Sequence, residues 1–290
     1  MSTVLPPLSA ARDNPWRPVS PCTPAACVGG PITPAGQLRR GLRLFGALIV
    51  ALAGVPLALL ARAFAGGTPR QAAITGRWAR AFLRALGLRL EVIGTCGAVV
   101  TGALVVANHV SWLDPLVIAA ALPARPLAKR EIASWPVVRT LAAGSGTLFI
   151  DRERLSALPS AVAAVADALR AGDTVVAFPE STTWCGQGMG GFRPAVFQAA
   201  IDAGAPIRPV TLRYREGAES STRAAFVGSD SLLSSLLRIT ATRHLVAEVR
   251  LPGLVLHAAA TRAELARICE TRVRVGLPGP HGTPPGREGV

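Results

Sequence analysis

Acidic residues are scarce in this 290-residue chain. Seventeen Asp and Glu stand against 31 Lys and Arg, for a net charge of +14, and aromatic residues make up only 5%. A nucleic-acid binder with this charge would carry a known reading motif or a Lys/Arg stripe interleaved with aromatics. Neither is present, so nucleic acid is not an expected partner. There is no Gly-x-Ser-x-Gly elbow, and the nearest candidate, Gly144-Ser145-Gly146, has the wrong spacing, which excludes a serine nucleophile of that kind. There is no His-Glu-x-x-His helix, which excludes that zinc arrangement. The five cysteines, Cys22, Cys27, Cys96, Cys185 and Cys269, are odd in number and form no ladder, so nothing requires an oxidising compartment. Cys22 and Cys27 suggest a metal pair, but no second pair completes a site. No metal and no cofactor is expected. The N-terminus lacks the basic start and apolar core of a secretory signal.

Charge of either sign is thin, at 17% of residues, while apolar residues reach 50% and mean hydropathy is +0.39. That balance is apolar for a soluble enzyme and points to membrane contact. The basic excess fits a partner bearing phosphates, such as anionic lipid head groups or a phosphorylated substrate. Arginine is spread along the chain, which also fits a GC-rich genome choosing Arg over Lys. The length allows one large domain, or a domain with an appendage.

Residues 1–36 are rich in Pro, Ala, Ser and Thr without periodicity and read as a disordered tail. Residues 37–88 read as membrane-associated helices. Arg39, Arg40 and Arg43 lead into the apolar run Leu44–Ala61, about the ~20 residues that a membrane-spanning helix needs. Gly46, Gly54 and Pro56 interrupt it, and arginines flank both ends, so the orientation rule says little. In the next segment, Gln71–Leu88, Ile74, Trp78, Phe82 and Leu86 recur at helical spacing. This predicts an amphipathic helix lying on a membrane or on the body of the protein. Spanning and one-leaflet insertion both stay open.

Residues 89–275 alternate short β-rich runs with helical ones. Leu88–Ile93, Ala103–Ala107, Pro126–Ala128, Thr147–Ile150, Thr174–Phe178, Ile207–Tyr214 and Leu245–Leu251 read as strands. Pro115–Leu122, Trp135–Ala143, Leu155–Ala171, Phe192–Ala203, Ser231–Ile239 and Arg262–Arg274 read as helices. The expected fold class is α/β: a mixed, largely parallel sheet flanked by helices, with an N-terminal membrane-associated helical pair. Gly172 stands where a helix C-cap belongs. The Gly/Pro-rich end, 276–290, reads as loose.

One stretch organises the rest: Ala107-Asn108-His109-Val110-Ser111-Trp112-Leu113-Asp114-Pro115. It joins an apolar strand to a helix, a place where α/β sheets bind ligands. A neutral imidazole there can take a proton from a hydroxyl. A carboxylate on its other nitrogen would fix the tautomer. An equally simple reading makes Asp114 the N-cap before a Pro at the first helical position, with His109 an ordinary loop residue.

Two later stretches bear on that choice: Gly146-Thr147-Leu148-Phe149-Ile150-Asp151-Arg152 and Phe178-Pro179-Glu180-Ser181-Thr182-Thr183. With His109 and Asp114 in this order, they resemble the glycerolipid acyltransferase family, which includes the lysophosphatidic acid acyltransferases. The resemblance runs from about Leu88 to Arg213. It implies that an acceptor hydroxyl attacks an acyl thioester directly, with His109 as general base, Asp114 as its orienter and no acyl-enzyme. The co-substrate would be acyl-CoA or acyl-carrier protein, the acceptor a lysophospholipid, and the location the cytoplasmic face of the plasma membrane.

Arg152 resembles the family's phosphate-binding arginine, a role suited to a permanently charged fork. Lys129 resembles a position near the substrate phosphate, with Arg130 competing for it. Glu180, Ser181 and Thr182 match a substrate-binding block, in which Glu180 reads as a scaffold acid bonding loop N–H groups. The commonest family form follows that Glu with Gly, Thr and Arg; here Ser181 replaces the glycine and Thr183 the arginine. Arg193 would supply the missing charge if its loop folds back. Ala205-Pro206-Ile207-Arg208-Pro209-Val210 resembles a strand lining the site. A subgroup lacking the arginine acylates lyso-ornithine lipid, so that acceptor is the alternative to lysophosphatidic acid. A non-catalytic basic membrane-binding protein is the alternative of another class, and a hydrolase a further one.

Overall fold

A computed structural model of the chain describes residues 18–64, 68–94, 101–130, 136–150, 155–256 and 259–277. Arg152 and Cys96 lie outside these ranges, as does nearly all of 276–290. Strand β2 (Leu104–Ala107) is buried along its whole length. It reads as an unbroken apolar run because both faces of the sheet are covered. Val105 and Ala107 enter one core with side chains of α3 (Thr68–Ala85), α4 (Asp114–Ala121) and α8 (Leu232–Thr240). Leu104 and Val106 enter a second core with side chains of α6 (Leu158–Arg170), α7 (Ala195–Ala203) and α9 (Arg262–Val275).

The strand order is β1 (Arg89–Ile93), β8 (Leu245–Arg250), β6 (Ile207–Glu216), β2, β5 (Val175–Ala177), β3 (Arg125–Lys129) and β4 (Leu148–Ile150), with β7 (Glu219–Ser220) beside β6. β2 runs parallel to both neighbours, as do the pairs β1–β8, β3–β5 and β3–β4. β7 and β8 run antiparallel to β6. This is the mixed, largely parallel sheet expected from the alternation of elements. Parallel neighbours need crossover helices: α4 follows β2, α5 (Pro136–Gly144) follows β3, α6 follows β4 and α7 follows β5. The carboxyl ends of β2 and β5 therefore open at one edge, where a parallel sheet binds its ligands.

Helix ends follow local chemistry. Thr261 and Glu264 form a capping box at the start of α9. Gly172 sits beyond α6 with φ +87, and the N–H groups of Gly172 and Asp173 reach back to Leu169 and Ala168.

The N-terminal pair is α2 (Gln37–Phe64) and α3. Contrary to the expected interruption, α2 continues through Gly54 and Pro56. A Cβ on Gly54 would meet the Trp78 indole of α3, so the glycine allows close approach. Trp78 Nε1 donates to the Val50 carbonyl at 2.9 Å. Three polar side chains dock the pair by bonding carbonyls at helix C-termini, which have no partner within their own helices. Arg43 bonds Thr240, and also Thr242 just beyond that helix, Arg80 bonds Ala120, and Gln71 bonds Gly144.

Other boundaries also move. The expected disordered tail is ordered over its second part. Residues 18–36 include a short helix, α1 (Pro24–Cys27), and pair by backbone bonds at Thr33 and Ala35 with Arg243 and Ala241. Gly29 N–H donates to Thr222 and Ile32 N–H to Glu216. Composition reads as disorder there because most of the segment's hydrogen bonds are made by its backbone and Cys22 is the one residue of 18–36 that it buries, which leaves no side-chain period. The predicted helix Phe192–Ala203 starts only at Ala195, after Pro194 at its N-cap. Leu155–Ala157 forms a separate 3-10 turn before α6.

Candidate active site

His109 leaves the end of β2 and Asp114 opens α4. Their side chains meet, with Nδ1 to Oδ2 at 2.8 Å. Asp114 is fully buried. Its Oδ2 also accepts the N–H groups of Val110 at 2.5 Å and Ser111 at 2.8 Å. Asp114 therefore does not cap its own helix: the N-cap is Leu113, without a side-chain bond. The carboxylate instead reaches back and folds the turn around itself. Its other oxygen, Oδ1, accepts from Tyr214 Oη at 2.6 Å. Burial, then the neighbouring Asp114 charge, pushes the Tyr214 phenol well above its usual range, which keeps it a donor.

Because Nδ1 faces a carboxylate, its proton sits there and the basic lone pair falls on Nε2. The ring stacks on Phe178, centroids 4.3 Å apart, and its side chain is 19% exposed. Asn108 holds the turn from below. It donates to the Leu212 carbonyl at 2.9 Å and accepts the Leu212 N–H at 2.7 Å, extending the β2–β6 ladder by a side chain.

Glu180 follows β5 and is buried. Its oxygens accept the N–H of His109 and the N–H of Gly190, each at 2.8 Å. Burial pushes its carboxyl up to about 8, against the lowering effect of those two bonds. The chain then turns through Ser181 at φ +61, the left-handed region where glycine is at ease. Trp184 N–H returns to the His109 carbonyl at 2.8 Å, and Arg193 N–H bonds the Pro179 carbonyl at 3.0 Å. The loop 180–193 thus folds back across the end of β5.

The fold and this constellation can be compared with known proteins. A family model described as Acyltransferase matches residues 90–213. A Pseudomonas aeruginosa protein named lyso-ornithine lipid O-acyltransferase is 33% identical over 251 residues, 83% of this chain and 93% of its own length. The chain belongs to the acyltransferase family. A 1-acyl-sn-glycerol-3-phosphate acyltransferase of Neisseria meningitidis serogroup B is 38% identical over 170 residues, 59% of this chain and 67% of its own. The crystal structure of PlsC from Thermotoga maritima, a 1-acyl-sn-glycerophosphate acyltransferase, shares the fold at a TM-score of 0.62 and 17% identity, over 83% of this chain and 97% of that one.

Within this acyltransferase the named residues divide by place. His109, Asp114 and Glu180 converge at the ends of β2 and β5. Ser181 and Thr182 are half-buried on the loop after Glu180. Thr183, where the common family form carries arginine, gives its hydroxyl to the Phe226 carbonyl. Arg193 is exposed, its backbone fixed beside Pro179. Lys129 is exposed at the end of β3. Arg152 belongs to 151–154, outside the described residues. The roles of Tyr214 and of the two Asn108–Leu212 bonds are not legible in the sequence. Tyr214 is the only tyrosine in the chain, and nothing local ties it to a site 100 residues away. Among the described residues, no metal-spaced cluster includes His109, Asp114 or Glu180.

Proposed function

We propose that this acyltransferase moves a fatty acyl chain from the thioester of acyl-CoA or acyl-carrier protein to the free hydroxyl of a lysolipid, lysophosphatidic acid in the first reading. The observation that carries the reading is the 2.8 Å bond between His109 Nδ1 and Asp114 Oδ2, which leaves Nε2 as the base. The hydroxyl gives its proton to His109 Nε2 as its oxygen attacks the thioester carbonyl. The C–S bond breaks, the new C–O ester bond remains, and the departing thiolate takes the proton. Asp114 holds the ring and stabilises the imidazolium, as a buried carboxylate does in other base–orienter pairs. Arg152, Lys129 and Arg193 are the proposed phosphate contacts. Glu180, Ser181 and Thr182 shape the loop beside the base.

Lyso-ornithine lipid is a second reading, favoured by a specific observation. Thr183 is engaged with Phe226 and offers no phosphate fork, and the Pseudomonas aeruginosa relative so named is matched over 93% of its length.

The helix α2 supports membrane attachment. The most apolar 18-residue stretch within residues 37–61 has a mean hydropathy of 2.5, and the helix is long and apolar enough to cross a membrane. Leu38, Leu42, Phe45, Leu52 and Leu60 are exposed along it. Its opposite side is docked on α3 and on carbonyls of the catalytic domain, which favours lying in one leaflet over crossing the bilayer.

The test offers labelled oleoyl-CoA to the protein in membranes or detergent, with lysophosphatidic acid and lyso-ornithine lipid in parallel and a His109→Ala control. Product from lysophosphatidic acid, lost in the control, supports the first reading. Product from lyso-ornithine lipid alone supports the second. An equally active His109→Ala enzyme overturns the general-base assignment.

A further inference from the structure

Three cysteines from two distant stretches converge. The Sγ atoms of Cys22, Cys27 and Cys185 all lie within 4.8 Å of one another. Cys22 and Cys185 are 6% and 7% exposed, while Cys27 is half-buried. The Cys22 backbone N–H donates to Ser20 Oγ at 3.2 Å, which holds this part of the N-terminal segment in place. Single buried cysteines behave as small apolar residues and need no second sulfur beside them. Cys269 is buried in the opposite core, with no second cysteine in that cluster.

We propose that Cys22, Cys27 and Cys185 bind one thiophilic metal ion of the Zn2+ class. Zinc–sulfur bonds of about 2.3 Å in a tetrahedron place sulfurs about 3.8 Å apart. From a limit of 4.8 Å, any pair needs to close by only about 1 Å to reach that spacing. The group contains no carboxylate and no imidazole, which disfavours Mg2+ and Ca2+ and selects a soft ion. The fourth position falls to water, and half-buried Cys27 gives the ion its entry. Each thiol gives up its proton on binding.

The ion would act as a clip. Cys22 and Cys27 belong to the N-terminal segment that docks on Thr222 and Glu216. Cys185 belongs to the loop whose preceding residue, Trp184, bonds the His109 carbonyl. One ion would therefore tie the N-terminal segment to the loop beside the base, with no part in the chemistry. The Cys22–Cys27 spacing was visible in the sequence as half a site; only the fold supplies the third sulfur.

The experiment titrates the full-length, reduced protein with Co2+ and reads the thiolate-to-cobalt charge-transfer band, then competes with Zn2+ and measures bound zinc by elemental analysis. One ion per chain is expected, with a raised melting temperature when zinc is bound. Cys22→Ser, Cys27→Ser and Cys185→Ser are each expected to lose the band and the thermal shift, and Cys269→Ser to keep both. Protection of three thiols from alkylation by Zn2+ in the wild-type chain gives a readout that needs no variant. Absence of a thiolate band in the reduced wild-type protein overturns the proposal. So does an unchanged stoichiometry in Cys27→Ser, or a disulfide within the cluster that accounts for two of its sulfurs in protein isolated without reductant.

Discussion

Tyr214 Oη donates to Asp114 Oδ1 at 2.6 Å, on the carboxylate oxygen that His109 does not use. The pair joins the end of β6 to the start of α4, so the orienter of the proposed base is itself oriented by a second strand. A hydrogen bond to a charged group contributes roughly 1.5–3 kcal/mol. Tyr214→Phe keeps the ring's packing and deletes only the donor. We expect kcat to fall about tenfold with the lysolipid KM unchanged, since the change acts through Asp114 and not through substrate. A variant with raised KM and unaltered kcat would place Tyr214 in binding instead.

Replacing His109 removes the proposed base together with its bond to Asp114 and its stacking on Phe178. The residue is on a turn and partly exposed, so the fold is expected to survive. Losing a general base costs about 10²–10⁴-fold in rate. His109→Ala is therefore expected to lose kcat in that range, with the circular dichroism spectrum retained.

Glu180 links folding to pH with a defined sign. Its carboxyl is raised from 4.5 to about 8, chiefly by burial. The folded chain thus holds this proton more tightly than the unfolded chain. The contribution to stability is complete below about pH 4.5 and is lost as pH rises through about 8. Glu180→Gln stays neutral throughout. The stability of wild type minus that of Glu180→Gln, from urea unfolding at pH 5, 6, 7 and 8, is expected to fall steadily across the series. A difference that stays flat would show that Glu180 does not titrate in that window.

Ser181 takes a left-handed backbone conformation at φ +61. Such a conformation costs a residue other than glycine roughly 1–2 kcal/mol. Glycine recovers most of this and gives back part through the entropy of the unfolded chain. Ser181→Gly is expected to stabilise by up to about 1 kcal/mol, and Ser181→Val to destabilise, because a β-branched residue is ill-suited there. Thermal melts of the two variants check the opposite signs.

Gly54 poses a contest between helix propensity and packing. Alanine is favoured over glycine inside a helix by about 1 kcal/mol. Here the added Cβ would stand 2.7 Å from Trp78 Cε2 and 3.0 Å from Leu141 Cδ2. Overpacking of that kind costs typically 1–3 kcal/mol, so packing wins. Gly54→Ala is expected to lower the melting temperature, and an increase would mean that α2 and α3 separate easily.

What the sequence determined by itself was whatever a short window can hold. Unbroken apolar runs such as Leu104–Ala107 and Val175–Ala177 mark strands buried on both faces. Alternation with helices implies a parallel sheet. His109 and Asp114 are five residues apart, so one turn suffices to bring them together, and their pairing is one of the two readings that the stretch allows by itself. Tertiary structure alone decided what joins that turn to the rest. β2 lies between β5 and β6, its neighbours in space and not in sequence. That order brings Glu180 to the His109 amide, Leu212 to Asn108 and Tyr214 to Asp114, across 71, 104 and 100 residues. Burial then converts those meetings into strong hydrogen bonds by removing competing water. The N-terminal segment 18–36 and the third sulfur at Cys185 follow the same logic. Local composition records how a stretch can fold, while which distant stretch it meets depends on the strand order of the whole sheet.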